Sequence, residues 1–225
     1  MYRVAQSQAS FNTGGRSVSL DCFLPESDGQ RFPAVISLHG SGGGHATMAN
    51  PSRGLAAQGF AVYVLHYFDR TGTTEADQKT IFHHFPLWMK TLWDGVSFVE
   101  QQAAVDPERV GLLGFSLGAY LSLSSAAIDH RIKAVVDYFG GLPKEMKLFM
   151  RRKLPPVLIL HGEADATVPV QEAYHLKSVL EQSAVPYEMQ IYPGAGHGFN
   201  AEVMRDADLR TLNFLKRHLA VRAPA

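Results

Sequence analysis

The chain has 225 residues, 46% of them hydrophobic and 19% charged, so it can bury a core without disulfide or metal staples. Basic and acidic side chains number 21 each, and this balance argues against broad electrostatic binding to nucleic acid or to an anionic membrane. The single cysteine, Cys22, excludes an internal disulfide framework and a cysteine-cluster metal site. No run reaches the ~18 apolar residues of a membrane span, and residues 1–11 lack the apolar run of a signal peptide, so we expect a cytoplasmic protein.

Strands and helices alternate along the chain, as the periodicity of its apolar residues indicates. In chain order the predicted elements are a strand at 18–24, a strand at 34–38, a helix from Asn50 and Pro51 to Gly59, a strand at 60–65, a helix at 85–102, a strand at 110–115, a helix at 117–128, a strand at 132–136, a strand at 156–160, a helix at 170–183, a strand at 187–192 and a helix at 206–219. Three of these strands, at 34–38, 60–65 and 156–160, are nearly solid apolar runs, which is typical of strands buried on both faces of a parallel sheet. The strand at 18–24 alternates apolar and polar residues instead, and we predict that it is an edge strand.

This alternation predicts an α/β fold, with one domain over residues 1–225, a mostly parallel central sheet flanked by helices, and no separate cap domain. Residues 71–85 form the one long connection without clear periodicity. Because a connection of that length in a compact domain is often a lid or a binding loop, we interpret 71–85 as a candidate lid loop.

A Gly-x-Ser-x-Gly segment, GFSLG at 114–118, lies where a predicted strand meets the next predicted helix. A serine hydroxyl exposed on a sharp strand-to-helix turn needs neighbours without a Cβ, because larger residues would collide with the tight backbone. Ser116 is therefore the candidate nucleophile. The alternative is an ordinary turn whose serine caps the helix, but the strand before the motif and the helix after it favour the nucleophile.

A serine nucleophile needs a base, and the base needs an acid that orients it. Of ten histidines, His197 lies in the glycine-rich segment PGAGHGF, where the flanking glycines leave its ring reachable from a cleft. Asp165 follows a buried predicted strand and is the candidate acid, while Asp137, near the end of another strand, is its competitor. Ser116, Asp165 and His197 each lie beyond the C-terminal end of a strand, where the catalytic groups of open α/β sheets collect.

A second glycine-rich segment, LHGSGGG at 38–44, follows another buried strand. Backbone so poor in side chains can turn N–H groups toward a substrate oxygen, so we expect an oxyanion hole here. Its donors would be the N–H of Leu117, just after the nucleophile, and one N–H from Ser41 or Gly42. A phosphate-binding loop is the alternative, but the segment has neither a Gly-Lys-Ser/Thr ending nor Gly-x-Gly-x-x-Gly spacing.

Together these motifs resemble the α/β-hydrolase superfamily, in which the triad also follows the chain order serine, acid, histidine. Within that superfamily the chain resembles the dienelactone hydrolase family, in its small size, in the absence of a cap segment and in the sequence YFG at 138–140. The resemblance covers roughly residues 17–219. It implies an α/β-hydrolase fold and hydrolysis through a covalent intermediate.

Three positions depart from what the resemblance implies. Dienelactone hydrolases use a cysteine nucleophile where this chain has Ser116, and they carry a glutamate where it has Gly40. They also place an arginine shortly after the catalytic histidine, where this chain has Asn200. The chain is therefore similar to a serine esterase on a dienelactone-hydrolase scaffold.

The wall of the site is expected to be apolar and aromatic, with Tyr67, Phe68 and Tyr138 as candidate substrate-binding residues. A second substrate arginine of the family matches Arg70. This side chain is interpreted either as a clamp for a substrate carboxylate or as the partner of an acidic residue on a solvated loop.

We therefore expect a serine esterase that cleaves small or medium esters through an acyl-enzyme. The alternatives are lactone hydrolysis as in dienelactone hydrolases, a peptidase or amidase, and an inactive α/β-hydrolase that serves as a binding module. This chemistry needs no metal or organic cofactor. A metal site is conceivable, because three histidines could end strands near one edge of the sheet: His39, His66 and His161. No short-range spacing of ligand residues indicates such a site, however. The natural substrate and the oligomeric state stay open.

Overall fold

The structure is a computed structural model and describes residues 1–144, 146 and 153–219. Its strands are β1 (Val4–Thr13), β2 (Arg16–Pro25), β3 (Phe32–Leu38), β4 (Ala61–Leu65), β5 (Val105–Phe115), β6 (Ile132–Tyr138), β7 (Val157–Gly162) and β8 (Tyr187–Tyr192). The α-helices in the described ranges are α1 (Ala49–Ala57), α2 (Gln78–Glu100), α3 (Leu117–Ala126), α4 (Gln171–Gln182) and α5 (Ala201–His218).

The strands form one sheet in the order β1-β2-β4-β3-β5-β6-β7-β8. The pairs β1–β2 and β2–β4 are antiparallel, and all the other neighbours are parallel. This mostly parallel sheet with helices packed on it confirms the predicted α/β fold. Because parallel strands end at a common edge, the segments after β3, β5, β7 and β8 lie near one another.

The solid apolar runs of the sequence lie in the centre of the sheet, where every residue of β3, β4 and β7 is buried. One buried cluster, which includes Trp88 and Leu92, packs α2, α3 and α4 against the sheet. Another, which includes Phe214 and Leu215, packs α1 and α5 against it. The sheet is therefore covered on both faces, as continuous apolar strands require.

The prediction that residues 18–24 form an edge strand is wrong, because β1 pairs with β2 along its whole length and is itself the outer strand. The polar sequence of β1 is mostly exposed and carries no apolar periodicity that would reveal it. Its position comes from the hairpin turn at Gly14 and Gly15, whose φ values of 49° and 78° suit glycine and close a two-residue turn.

The predicted start of the long helix at residue 85 is also wrong, since α2 begins at Gln78. Asp77 caps this helix by accepting a hydrogen bond from the N–H of Thr80, at 2.8 Å. Pro86 lies inside the helix, although proline is most typical of a first turn. The candidate lid at 71–85 is therefore wrong for residues 78–85, and the irregular segment is 71–77.

Two further helix starts differ from the prediction. Asn50 and Pro51 predict the start of the first helix, but α1 begins at Ala49, directly after a short 3₁₀ turn at His45–Met48. α5 begins at Ala201 rather than at residue 206, because Asn200 caps it by accepting hydrogen bonds from two backbone N–H groups. None of the described helices has the length and apolar content needed to cross a membrane.

Candidate active site

Ser116 lies on the sharp turn between β5 and α3. Its φ of 52° and ψ of −118° are strained for a residue with a Cβ. The turn depends on the two flanking glycines, because a Cβ on Gly114 would collide with the carbonyl oxygen of Gly118, and a Cβ on Gly118 would collide with that of Leu38. The glycines of the motif therefore allow β5, the turn and α3 to pack tightly beneath the serine.

Ser116, His197 and Asp165 form one chain of hydrogen bonds. His197 Nε2 lies 3.1 Å from Ser116 Oγ, and His197 Nδ1 lies 2.8 Å from Asp165 Oδ2. The histidine follows β8, the aspartate follows β7 and the serine follows β5. The fold thus brings together three side chains that are far apart in the sequence, at the edge where the parallel strands end.

The Asp165 carboxylate is buried and held on both of its oxygens. Its Oδ2 faces His197, while its Oδ1 accepts hydrogen bonds from the N–H groups of Thr167 and Val168, at 2.9 and 2.8 Å. The buried ring of His161 lies 2.9 Å from the carbonyl oxygen of Val168 and 3.6 Å from Asp165 Oδ2. The acid loop therefore fixes which oxygen of Asp165 faces the histidine.

Asp137, the competing acid, does not contact His197. Its Oδ1 accepts a hydrogen bond from the N–H of Gly140 at 2.8 Å, and its Oδ2 has no partner among the described residues. Burial raises the pKa of this carboxyl group to about 7. Asp137 is therefore a buried acid of the sheet that takes no part in the hydrogen bonds between Ser116, His197 and Asp165.

We expect Asp137 to make the protein less stable as the pH rises from about 4 to about 7. Its pKa is 3.8 when exposed and about 7 in the fold, so over this range the unfolded chain loses a proton that the folded chain keeps. One pKa unit corresponds to about 1.4 kcal/mol, so the loss is at most about 4 kcal/mol. The measurement is the free energy of unfolding in urea at pH 5 and pH 8, for the wild type and for Asp137→Asn. A pH dependence that is the same in both proteins would contradict the expectation.

The glycine-rich segment after β3 runs beside Ser116. Gly40 approaches so closely that a Cβ there would lie 3.4 Å from Ser116 Cβ. Within the described part of the chain, the N–H groups of Leu117, Ser41 and Gly42 donate to no protein acceptor. These three expected oxyanion donors are therefore unused within the described fold, and Ser41 and Gly42 line the same cavity as Ser116.

Residues 71–77 pack against this glycine-rich segment. The N–H of Ala76 donates to the carbonyl oxygen of Ser41 at 2.8 Å. A Cβ on Gly43, whose φ is 71°, would lie 2.5 Å from the carbonyl oxygen of Thr74. The shortened candidate lid therefore supports the segment that carries Ser41 and Gly42.

A cavity of about 500 Å³ opens above Ser116, a size typical of small-molecule sites. It is lined by His39, Gly40, Ser41, Gly42, Gly43, Thr47, Met48, Pro51, Phe115, Ser116, Phe139, His197 and Met204. Burial lowers the pKa of His39 to about 4, so this ring is neutral at pH 7. The described lining has no lysine, arginine, aspartate or glutamate, and it suits an uncharged ligand.

The three aromatic residues proposed for the wall do not line this cavity. Tyr67 is fully buried, and its hydroxyl donates to the carbonyl oxygen of His39 at 2.8 Å. Phe68 is buried against Tyr67. The hydroxyl of Tyr138 lies 2.8 Å from that of Thr211, beneath α5. The prediction is wrong for these residues because all three side chains pack inward.

Arg70 is also remote from the cavity. Its guanidinium donates to the carbonyl oxygen of Gly14 at 2.9 Å, in the turn between β1 and β2. No acidic residue in the described ranges forms an ion pair with it. Arg70 is therefore neither a clamp for a substrate carboxylate nor the partner of an acidic residue. Its side chain instead holds the backbone turn between β1 and β2.

The observed wall consists mainly of Phe115, Phe139, Met48 and Met204. Phe139 directly follows β6 and has a φ of 42°, so its side chain points away from that of the preceding Tyr138 and lines the cavity. Phe115 immediately precedes Ser116 within the GFSLG motif, so its position next to the serine follows from the sequence. The two methionines carry no such signal, because the glycine-rich segment and the start of α5 bring them to the site only in the fold.

Residues 20–218 match the sequence model of the dienelactone hydrolase family. The chain belongs to this family. The match covers most of the chain, so the resemblance inferred from the motifs is confirmed, and the protein falls in a family of hydrolases.

The proteins that this chain resembles include some named as lactone hydrolases and some named as esterases. A Yersinia pestis protein described as a carboxymethylenebutenolidase is 27% identical over 188 residues, which cover 76% of this chain and 70% of the relative. A structure described as a dienelactone hydrolase from Klebsiella pneumoniae has a TM-score of 0.82 at 22% identity, over 96% of this chain and 99% of the other. An esterase from Pyrobaculum calidifontis has a TM-score of 0.76 at 20% identity, over 97% and 87%. At these identities the two structures show the α/β-hydrolase fold alone.

Proposed function

We propose that this protein is a serine hydrolase of uncharged carboxylic esters, with Ser116 as nucleophile, His197 as general base and Asp165 as the acid that orients it. The proposal is carried by the hydrogen-bonded chain of these three side chains, with contacts of 3.1 and 2.8 Å, beneath a cavity of about 500 Å³. A nucleophile in hydrogen-bond reach of a base that a third group orients is the arrangement needed for acyl transfer.

The first step forms an acyl-enzyme. Ser116 Oγ attacks the ester carbonyl while His197 Nε2 takes its proton, and the carbonyl oxygen becomes an oxyanion. The N–H groups of Leu117 and of Ser41 or Gly42 stabilise that oxyanion, each by roughly 3–4 kcal/mol. His197 then gives its proton to the departing alkoxide as the carbon–oxygen bond breaks.

The second step returns the free enzyme. Water gives a proton to His197 Nε2 and attacks the acyl carbon, and the proton then passes to Ser116 Oγ as the acid leaves. Asp165 accepts the hydrogen bond of His197 Nδ1, holds the ring in this tautomer and stabilises the imidazolium. None of these steps requires a metal or an organic cofactor.

The cavity wall favours esters that carry no charge. Phe115, Phe139 and the two methionines offer apolar surface, and the described lining has no cation to pair with a carboxylate. Lactones fall within the same proposal, because a lactone is a cyclic ester that the same steps would open. The names of the family and of the Yersinia pestis relative support this second substrate class.

A fluorophosphonate probe tests the proposed function directly, since it phosphonylates an activated serine. We expect stoichiometric labelling of the folded wild type at Ser116 and none in Ser116→Ala. Parallel assays with p-nitrophenyl esters and p-nitroanilide peptides separate an esterase from a peptidase. Absence of labelling would favour a binding module, and faster turnover of the anilides would favour a peptidase.

We expect Arg70→Ala to change kcat/KM for a neutral ester by less than about tenfold, because its guanidinium bonds to Gly14 and lies outside the cavity. The measurement compares a neutral p-nitrophenyl ester with its carboxylate-bearing analogue, in the wild type and in Arg70→Ala. We expect the neutral ester to be preferred in both. A preference for the carboxylate ester that Arg70→Ala abolishes would instead make Arg70 a substrate clamp.

A further inference from the structure

A second cluster of chemically reactive side chains lies outside the cavity. Asp21, His45 and His66 each offer one ligand-type atom, and these atoms all lie within 4.8 Å of one another. Within the cluster, His66 Nε2 lies 2.9 Å from Asp21 Oδ2. None of the three residues lines the cavity above Ser116.

The fold places two of the three side chains together by strand pairing. Asp21 on β2 is opposite Val64 on β4, two residues before His66. Alternate residues of a strand point to the same face, so Asp21 and His66 leave the sheet on one side. The pairing continues past the end of β4, where the N–H of His66 donates to the carbonyl oxygen of Ser19 at 3.0 Å.

The third side chain directly follows the glycine-rich segment. His45 follows Gly44 and opens the 3₁₀ turn at His45–Met48. Its exposed ring stacks on the ring of His66, with centroids 3.8 Å apart. Neither ring nitrogen of His45 has a hydrogen-bond partner in the described part of the chain. Both nitrogens are therefore available to a ligand.

We propose that Asp21, His45 and His66 form a binding site for Zn²⁺ or a similar transition-metal dication. Two imidazole nitrogens and one carboxylate oxygen are a donor set that zinc accepts, with water in the fourth position. Mg²⁺ and Ca²⁺ prefer sites made mainly of oxygen, and a single carboxylate does not provide one.

The spacing needs only a small adjustment. Ligand atoms of a tetrahedral zinc site lie about 3.4 Å apart, given metal–ligand bonds of about 2.0–2.1 Å. Here one pair is at 2.9 Å and the others are within 4.8 Å, so the ion would widen the first distance and shorten the rest. His45 is the exposed member and can supply most of that movement by rotating its side chain.

A neighbouring side chain orients the carboxylate of Asp21. Gln8 Nε2 donates to Asp21 Oδ1 at 2.8 Å and leaves Oδ2 for the metal. A hydrogen bond to the second oxygen is the usual support of a ligating carboxylate.

A bound ion would tie the glycine-rich segment to the sheet. His45 ends the stretch that contains Ser41 and Gly42, whereas Asp21 and His66 belong to β2 and the end of β4. The metal would therefore restrain that segment from outside the cavity. The inference concerns metal binding and does not rest on the proposed hydrolase activity.

Calorimetric titration of metal-free protein with Zn²⁺ tests the site, with Mg²⁺ as a comparison ion. We expect one equivalent of zinc to bind the wild type. We expect His45→Ala and Asp21→Asn each to weaken binding at least 100-fold, and Gln8→Ala to weaken it about tenfold, because it removes only a supporting contact. His83→Ala removes another exposed histidine and is the matched control, and His197→Ala reports on zinc at the catalytic histidine; both should bind as the wild type does.

Thermal unfolding provides a second readout that does not depend on activity. At a zinc concentration about 100 times the Kd, Tm of the wild type should rise by about 5–10 °C, whereas Tm of His45→Ala should not change. Without zinc the two proteins should melt at similar temperatures, because His45 is exposed. Wild-type affinity in His45→Ala, equal losses in His83→Ala or His197→Ala, or no zinc binding by the wild type would each overturn the proposal.

Discussion

Ser116→Ala is expected to lower kcat for a p-nitrophenyl ester by about 10⁴-fold or more. The substitution removes the only atom that can form the acyl-enzyme in the proposed mechanism, and His197 then has no hydroxyl to deprotonate. The free energy of unfolding should change little, because alanine keeps the Cβ and the Oγ contact with His197 is a single hydrogen bond of 3.1 Å. Steady-state kinetics and urea unfolding of the same preparation measure both effects.

Ser41→Ala is the matched control for this prediction. Ser41 lines the same cavity and also carries a hydroxyl, but its expected contribution is its backbone N–H, which alanine retains. Its kcat should therefore stay within about tenfold of the wild type. Near-normal activity in Ser116→Ala would contradict the proposed mechanism. A large loss of activity confined to Ser41→Ala would instead identify Ser41 as the nucleophile.

The sequence was most informative where a single local pattern determines the structure. The strands β3, β4 and β7 are buried on both faces, so an uninterrupted run of apolar residues is enough to predict their burial. The glycines around Ser116 are required by a turn in which a Cβ would strike the backbone. Ser116, Asp165 and His197 could be grouped from sequence because parallel strands bring the residues after them to one edge.

The sequence was less informative where pairing between distant segments determines the structure. β1 has no apolar periodicity, and only its hydrogen bonds to β2 make it the outer strand. The start of α2 at Gln78 depends on the cap formed by Asp77, whereas the spacing of apolar residues predicts a start at residue 85. The direction of a side chain is harder still, since Tyr138 packs inward and the adjacent Phe139 faces the cavity.

The cluster of Asp21, His45 and His66 is the clearest case of a site that sequence reasoning missed. The sequence suggests His66 as a ligand only together with His39 and His161. In the fold, His39 stacks on Tyr67, and His161 lies beside the acid loop. The true neighbours of His66 come from β2, by antiparallel pairing, and from the end of the glycine-rich segment. No spacing along the chain encodes that combination.

Asp165→Asn is expected to lower kcat by about 10⁴-fold, even though the amide has nearly the shape of the carboxylate. The acid loop explains why. Asp165 Oδ1 accepts hydrogen bonds from Thr167 and Val168, and these two donors would hold the amide oxygen of the asparagine in the same place. The amide NH₂ would then face His197 Nδ1 and donate to it. His197 would carry its proton on Nε2, where it could no longer accept the proton of Ser116. Ester kinetics across the pH range, with folding checked by circular dichroism, measure the effect.

Asp137→Asn is the matched control, because it makes the same change in the other candidate acid. Its Oδ1 accepts from Gly140 and has no contact with His197, so kcat of the folded protein should stay within about tenfold of the wild type. The substitution removes an acid whose ionisation burial disfavours, and it places an amide donor at an oxygen that has no partner among the described residues. Asp137→Asn should therefore act on stability, whereas Asp165→Asn should act on turnover. If Asp137→Asn instead lost about 10⁴-fold while Asp165→Asn stayed near normal, the acid would have to be reassigned to Asp137, and the contact of 2.8 Å between Asp165 and His197 would be a structural hydrogen bond.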